Sequence, residues 1–375
     1  MKYLTIAALS LCLSANAFAH PEHNRIGMQV EADAMADAAE AFLATLDEAQ
    51  RETVMFDLDD REAREGWNNL PTALAPRTGL QIATLNADQR VALHGLLARS
   101  LSSEGYGEAL HVMSLESFLN ASMRDLLAER GDSLPDDRRA LVEALIVSFD
   151  PENYWVRVFG EPSSGTWSLV LDGHHLAVTA TVVDGRVTFA PVFLGAEPQI
   201  MPSGVYTGRR AFQHELDRVA DLMASLDESQ LAELIQSQDR AEAADFAGRG
   251  WVPDMEADAV GLSAADLSDT QRQLLHAAIR EFLGVAPMAA ADARLHQIEQ
   301  DGLESIHIAW WGDYTDLSRR FMLRVSGPSI HIDFAREGPS DDDANHFHIV
   351  IRDPSNDYGE NWLREHYAEA HEGQE

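Results

Sequence analysis

Cysteine and lysine are nearly missing from this sequence. Its single cysteine is Cys12 and its single lysine is Lys2, both inside the first nineteen residues. Beyond them there is no thiol for covalent catalysis, no disulfide and no cysteine-type zinc site. A Schiff-base lysine and a phosphate-loop lysine are excluded on the same ground. Positive charge is scarce as well. Against 62 Asp and Glu stand 28 Lys and Arg, giving a formal net charge of -34. Nucleic acid and anionic membranes are therefore not expected partners, because both are held by basic patches. Neither a G-x-S-x-G nucleophile elbow nor a glycine-rich dinucleotide or phosphate loop is present. With 45% apolar residues the chain still has the composition of a globular protein.

The first nineteen residues read as an export leader. Met1-Lys2 is a short basic start, Tyr3 to Leu13 is apolar but too short to span a bilayer, and Ala17-Phe18-Ala19 has the small-x-small form of a cleavage site. Leu11 before Cys12 does not fit a lipoprotein signal. Cleavage would free His20, whose amine and imidazole together could hold a copper ion. The expected product is a periplasmic or secreted protein with no membrane-inserted segment once the leader is gone.

The remaining chain reads as one unit written twice, with residues 20–205 forming a first α+β repeat and 206–375 a second. Phe42 to Gln50 resembles Leu222 to Gln230, and Leu85 to Arg90 resembles Leu267 to Arg272. Trp67 is echoed by Trp251, and Gly79-Leu80 by Gly261-Leu262. Asn86 and Ser268 are placed to cap the helices that follow them. Each unit then turns to alternating, β-branched segments: Tyr154 to Gly160 against Ser305 to Gly312, Trp167 to Gly173 against Phe321 to Gly327, and Val187 to Pro191 against Asn345 to Ile349. The expected fold is α+β, helices first and then an antiparallel meander in each half, with a pseudo-twofold axis between the halves. Whether the two meanders form one sheet or a barrel stays open.

Histidines mark the candidate chemistry. His346 and His348 flank one residue, so on a strand both rings share a face and can reach one ion. His174-His175 ends a strand of the first half, and adjacent strand residues point to opposite faces. At most one of that pair is expected to share the ion, with the other supporting it. His331 and Asp333 lie on the preceding strand of the second half, and Asp333 is an oxygen ligand to go with the imidazoles. Such a set suits one transition-metal ion, zinc or copper. Glu197, in the turn Gly195-Ala196-Glu197-Pro198, is a further oxygen ligand or general base. Arg352 reads as a clamp for a substrate carboxylate or phosphate, and Asp353 as an acid that orients a histidine. The bland alternative for these two is an Arg–Asp pair bracing a tight turn.

Several of these segments together resemble the domain-of-unknown-function family 3500. They are Trp67 to Pro71, Arg77 to Leu80, Tyr154-Trp155 with Phe159 to Ser163, Gly173 to Leu176, Gly195 to Pro198, and Asn345 to His348 with Arg352 to Pro354 and Asn356 to Gly359. The resemblance implies an exported bacterial protein and no established activity. Three functions remain open: a metal-dependent hydrolase, a non-catalytic metal carrier or sensor, and a metal-free module that binds a small acid through Arg352.

Overall fold

In a computed structural model of the chain, the structure describes residues 21–240 and 260–371. The helices are α1 (Pro21–Ala44), α2 (Glu48–Val54), α3 (Arg61–Glu65), α4 (Ala87–Ser100), α5 (Ser103–Arg130), α6 (Asp136–Ser148), α7 (Gln213–Ser225), α8 (Glu228–Leu234), α9 (Asp269–Leu283), α10 (Met288–Asp301) and α11 (Glu360–His371). The strands are β1 (Met55–Phe56), β2 (Leu80–Gln81), β3 (Tyr154–Phe159), β4 (Thr166–Gly173), β5 (Leu176–Val183), β6 (Arg186–Ala196), β7 (Ile235–Ser237), β8 (Leu262–Ser263), β9 (His307–Gly312), β10 (Phe321–Gly327), β11 (Ile330–Glu337) and β12 (His346–Arg352).

All the strands join one mixed sheet, in the order β1-β3-β4-β5-β6-β12-β11-β10-β9-β7, with β2 beside β3 and β8 beside β9. The meanders β3 to β6 and β9 to β12 are antiparallel, and they meet where β6 pairs with β12, also antiparallel. Only the short edge pairs β1 with β3 and β7 with β9 are parallel. The joint sheet, left open by the sequence, is therefore observed. Among the described residues no helix is long and apolar enough to cross a membrane.

The strands alternate because the two faces of the sheet have different surroundings. Val156, Val178, Leu194, Ile349, Ile332 and Leu323 point into the large core shared with the helices. The opposite face carries the polar residues, including Arg157, Asp172, His348, Asp333 and Arg324, and it too is buried. In the first half the chain around Trp67 and the turn at Tyr358 cover it, closing a small second core over Ala177, Phe193 and Val350. The Trp67 indole N–H donates to the Tyr358 hydroxyl at 2.9 Å.

The helix starts follow their capping residues. Asp47, Asn86, Asp227 and Ser268 each accept from the N3 backbone amide, and a glutamine at N3 bonds back to the cap. The glutamines also bond in pairs, Gln89 to Gln50 at 2.7 Å and Gln271 to Gln230 at 2.8 Å. Each pair thus ties two helices together, α2 to α4 and α8 to α9.

One helix contact is set against itself electrostatically. Glu108 of α5 and Glu215 of α7 share a hydrogen bond between carboxyl groups, with Glu104 and Glu281 close by. Burial, then repulsion from Glu215, lifts Glu108 to about 9 from an ordinary 4.5. The native state therefore holds more protons than the unfolded chain above pH ~4.5, so stability falls as pH rises from there through the native values. Glu108→Gln is expected to flatten this decline, which denaturant midpoints taken across the range will read.

Candidate functional site

The site begins with a two-residue turn. Gly173 pairs with Leu176 across β4 and β5, leaving His174 and His175 at the tip. His175 takes the left-handed backbone conformation, with φ 61°. That region is costly for a residue with a side chain, so the surroundings must hold it. The His175 N–H donates to the Asn69 carbonyl at 3.3 Å, and its own carbonyl accepts from the Gly195 N–H at 2.7 Å. The Tyr154 hydroxyl donates to the His174 carbonyl at 2.8 Å. Below the turn, Arg77 reaches the Gly173 carbonyl at 3.3 Å and pairs with Asp172, whose other oxygen takes Arg157 at 2.7 Å.

The second contribution comes across the centre of the sheet. In the β6–β12 register His348 stands opposite Gly195 and Phe347 opposite Ala196. His346 and His348 share the polar face, as strand alternation requires. The His175 ring lies over Gly195 and meets them both. Its Nε2 is 3.0 Å from Nε2 of His346. Ring centroids lie 4.8 Å apart for His175 and His346, 5.4 Å for His175 and His348, and 4.3 Å for His346 and His348. One nitrogen from each of the three rings lies within 4.8 Å of the others, so the group could hold a metal ion. Two nitrogens about 2.0–2.1 Å from a tetrahedral ion sit roughly 3.3 Å apart, close to what is seen for His175 and His346.

Gly195 makes the convergence possible. A Cβ on it would stand 2.9 Å from Cδ2 of His175 and 3.0 Å from Cδ2 of His348. Gly195→Ala should push those two rings apart. The expected outcome is weaker metal binding with little change in far-ultraviolet circular dichroism, checked by metal titration beside the unaltered protein.

Charge favours the ligating form. Burial drives His175 and His174 well below the ordinary imidazole range, with repulsion from neighbouring histidines adding to it. Burial, then His348, lowers His346 to about 3. His174, His175 and His346 are thus neutral at physiological pH, as metal ligation needs. Glu337, beside His346 in the β11–β12 register, has a carboxylate oxygen 3.4 Å from Nδ1 of His348. Burial opposes its charge, but the bond to His348, with His348 and Arg240 nearby, brings it down to about 2.

His174 has a different task. Its ring stacks on His175 at 3.7 Å between centroids, tilted by 27°. Its Nδ1 meets the Glu116 carboxyl of α5 at 2.8 Å. Glu116, His174 and His175 form a second group close enough for a metal. However, imidazole lone pairs lie in the ring plane, so two stacked rings do not aim at one point. Burial, then the charges of Glu197 and Asp150, lifts Glu116 to about 9. We read Glu116 and His174 as a buttress beneath His175.

The other expected residues fall in three places. Glu197 borders the group, with an oxygen 3.9 Å from Nδ1 of His346, and is half exposed. Asp333, expected to supply an oxygen ligand, belongs to neither group. It stands opposite Arg324 on β10, which binds both its oxygens at 2.7 and 2.9 Å, and it lies 3.1 Å from His331. Arg352 and Asp353 also lie apart from the histidines. Four residues of strand separate Arg352 from His348, about 13 Å at 3.3 Å per residue. Arg352 donates to Asp357 at 2.6 Å. Asp353 accepts from the Ser355 amide at 2.9 Å, the Ser355 hydroxyl at 2.6 Å and the Asn356 amide at 3.0 Å, and it pairs with Arg294. Both brace the turn, though through Asp357 and Arg294 rather than as a pair with each other. The expected leader at 1–19, His20 and Trp251 lie outside the described residues.

Sequence reasoning did not single out Glu116 and Glu337. Glu337 carried a signal, since it continues the alternation of His331 and Asp333 on one face of β11.

A mixed α+β protein with a strand-borne histidine group that could hold a metal is thus defined. The family described as Protein of unknown function (DUF3500) matches residues 28–360, and the chain belongs to it. No curated protein and no solved structure matches the chain.

Proposed function

We propose that this is an exported protein that holds one transition-metal ion, zinc or copper, on His175, His346 and His348 and uses it for hydrolysis of a small substrate. The observation that carries the reading is the meeting of three imidazoles, from a hairpin turn and a strand of the other meander, over Gly195. Nothing in the basic fold needs three histidines at one point, two of them buried. An ion held by these three histidines would supply a bound water with its pKa lowered to about 7. Glu197, half exposed and beside His346, would be the base for that water's proton. Glu337 orients His348 through Nδ1, leaving Nε2 for the ion.

The duplicated architecture belongs to the same reading, with repeats at 20–205 and 206–375 about a pseudo-twofold axis between β6 and β12. Matching registers support it. Leu80 pairs with Val156 as Leu262 pairs with Ile308, and Met55 with Val158 as Ile235 with Trp310. Val170 pairs with Thr179 as Arg324 pairs with Asp333. On this reading one hairpin tip became His174-His175 where the other keeps Pro328-Ser329.

Activity tests it directly. Zinc-loaded protein is expected to hydrolyse members of a panel of nitrophenyl esters and phosphates, and His348→Ala not to. Amino-terminal sequencing of exported material should begin at His20. A carrier reading rests on the burial of His175 and His348. It would prevail if the loaded protein turned over nothing yet gave up its ion to a chelator.

A further inference from the structure

A second cavity lies on the opposite, helix-covered side of the sheet. Its volume is about 240 Å³, between α10 and the central strands β6 and β12. The floor is apolar, formed by Val187, Phe189, Val285 and Ile351, all buried. Space exists there because α10 presents alanines, Ala290 and Ala293 among them, toward two central strands. The mouth is polar. Gln297 and Ser355 line it and are exposed, and Arg294 lies just inside.

The chemistry of the mouth selects a ligand. Arg294 is paired with Asp353, so the mouth holds one charge of each sign. Asp353 is already saturated by the Ser355 amide, the Ser355 hydroxyl and the Asn356 amide. Arg294 is not saturated in the same way. Beyond Asp353 it reaches only the Arg352 carbonyl, at 3.4 Å, among the described residues, although a guanidinium carries five N–H donors. The Asn356 side-chain amide nitrogen is also buried with no acceptor among the described residues. An anion entering here would meet Asp353, and a cation would meet Arg294. An uncharged oxygen acceptor meets neither penalty and uses the spare donors.

We propose that this cavity binds an uncharged, mainly apolar small molecule bearing one hydroxyl or carbonyl oxygen, seated with that oxygen at Arg294 and its body on Phe189 and Ile351. An apolar cavity of about 150 Å³ takes benzene, so this one takes a molecule of about ten non-hydrogen atoms. Its apolar floor lies on the other face of the sheet from the histidines, none of the three histidines lines it, and it does not depend on a metal being bound.

The test uses three probes of one shape and different charge: phenethyl alcohol, phenylacetate and phenethylamine, measured by equilibrium dialysis against the whole protein. Saturable binding of the alcohol is expected, with both charged relatives at least about tenfold weaker, the cost of one unmatched buried charge contact. Ala293→Leu and Ala290→Leu fill the space and should each abolish alcohol binding, with thermal unfolding by circular dichroism as the fold control. Ala293 is half-buried and better placed than Ala290 to accept the larger side chain. Arg294→Met should weaken the alcohol without improving phenylacetate. The proposal is overturned by no saturable binding of the alcohol, by phenylacetate or phenethylamine binding as tightly as it does, or by unchanged binding in a folded Ala293→Leu protein.

Discussion

Replacing His348 by alanine is expected to weaken zinc or copper binding by more than about 100-fold. That is the upper end of what losing a supporting residue costs, and a ligand should cost more. His346→Ala should do the same, and His174→Ala should do less, because its ring stacks on His175 without converging. The loss has a stability readout. Metal at 100 times its dissociation constant should add about 2.7 kcal/mol to the unaltered protein and nothing to His348→Ala. Denaturant unfolding with and without metal separates the two. Equal metal stabilisation of both proteins would place the ion elsewhere.

The second large effect lies beneath the hairpin. Asp172 is fully buried and bridges Arg157 at 2.7 Å and Arg77 at 2.9 Å, both of them buried too. Burial raises the Asp172 carboxyl, with the two arginines pulling against it. Replacing one partner of such a network leaves charge stranded in the interior. Asp172→Ala should therefore destabilise the protein by about 3–5 kcal/mol, measured by denaturant unfolding without metal. Arg77 also holds the Asn68, Leu70 and Gly173 carbonyls. The hairpin tip should loosen with it, and metal binding should weaken at the same time. A cost below about 1 kcal/mol would mean that the hairpin is held by something other than this network.

Much of this arrangement could be read from local pattern. Alternation placed His346 and His348 on one face, and the capping residues Asn86 and Ser268 marked helix starts that the structure has. The opposite-faces argument for His174-His175 did not apply, because both sit in the turn between β4 and β5 and their rings stack. What escaped was non-local. The pairing of β6 with β12 brings Gly195 opposite His348, and no periodicity within either segment encodes that pairing. Glu116 sits inside a helix 58 positions before His174, where its neighbours suggest only an amphipathic face. Asp333 shows the limit most plainly. Its parity on β11 is right for the histidine face, but its direct cross-strand neighbour is Arg324, and a buried carboxylate pairs with the closest guanidinium. Arg352 and Asp353 were legible as turn-bracing residues because their partners within the turn lie within five positions, while the pairing of Asp353 with the distant Arg294 was not. Their reach toward a substrate required a fold-level closeness to the histidines that β12 denies them.

The most direct measurement is the metal content of purified protein lacking residues 1–19, by elemental analysis after exposure to zinc and to copper in turn. One ion per chain in the unaltered protein, and none in a folded protein with His346 and His348 both replaced by alanine, is the predicted result. A preparation that carries no metal and takes up neither ion would contradict it.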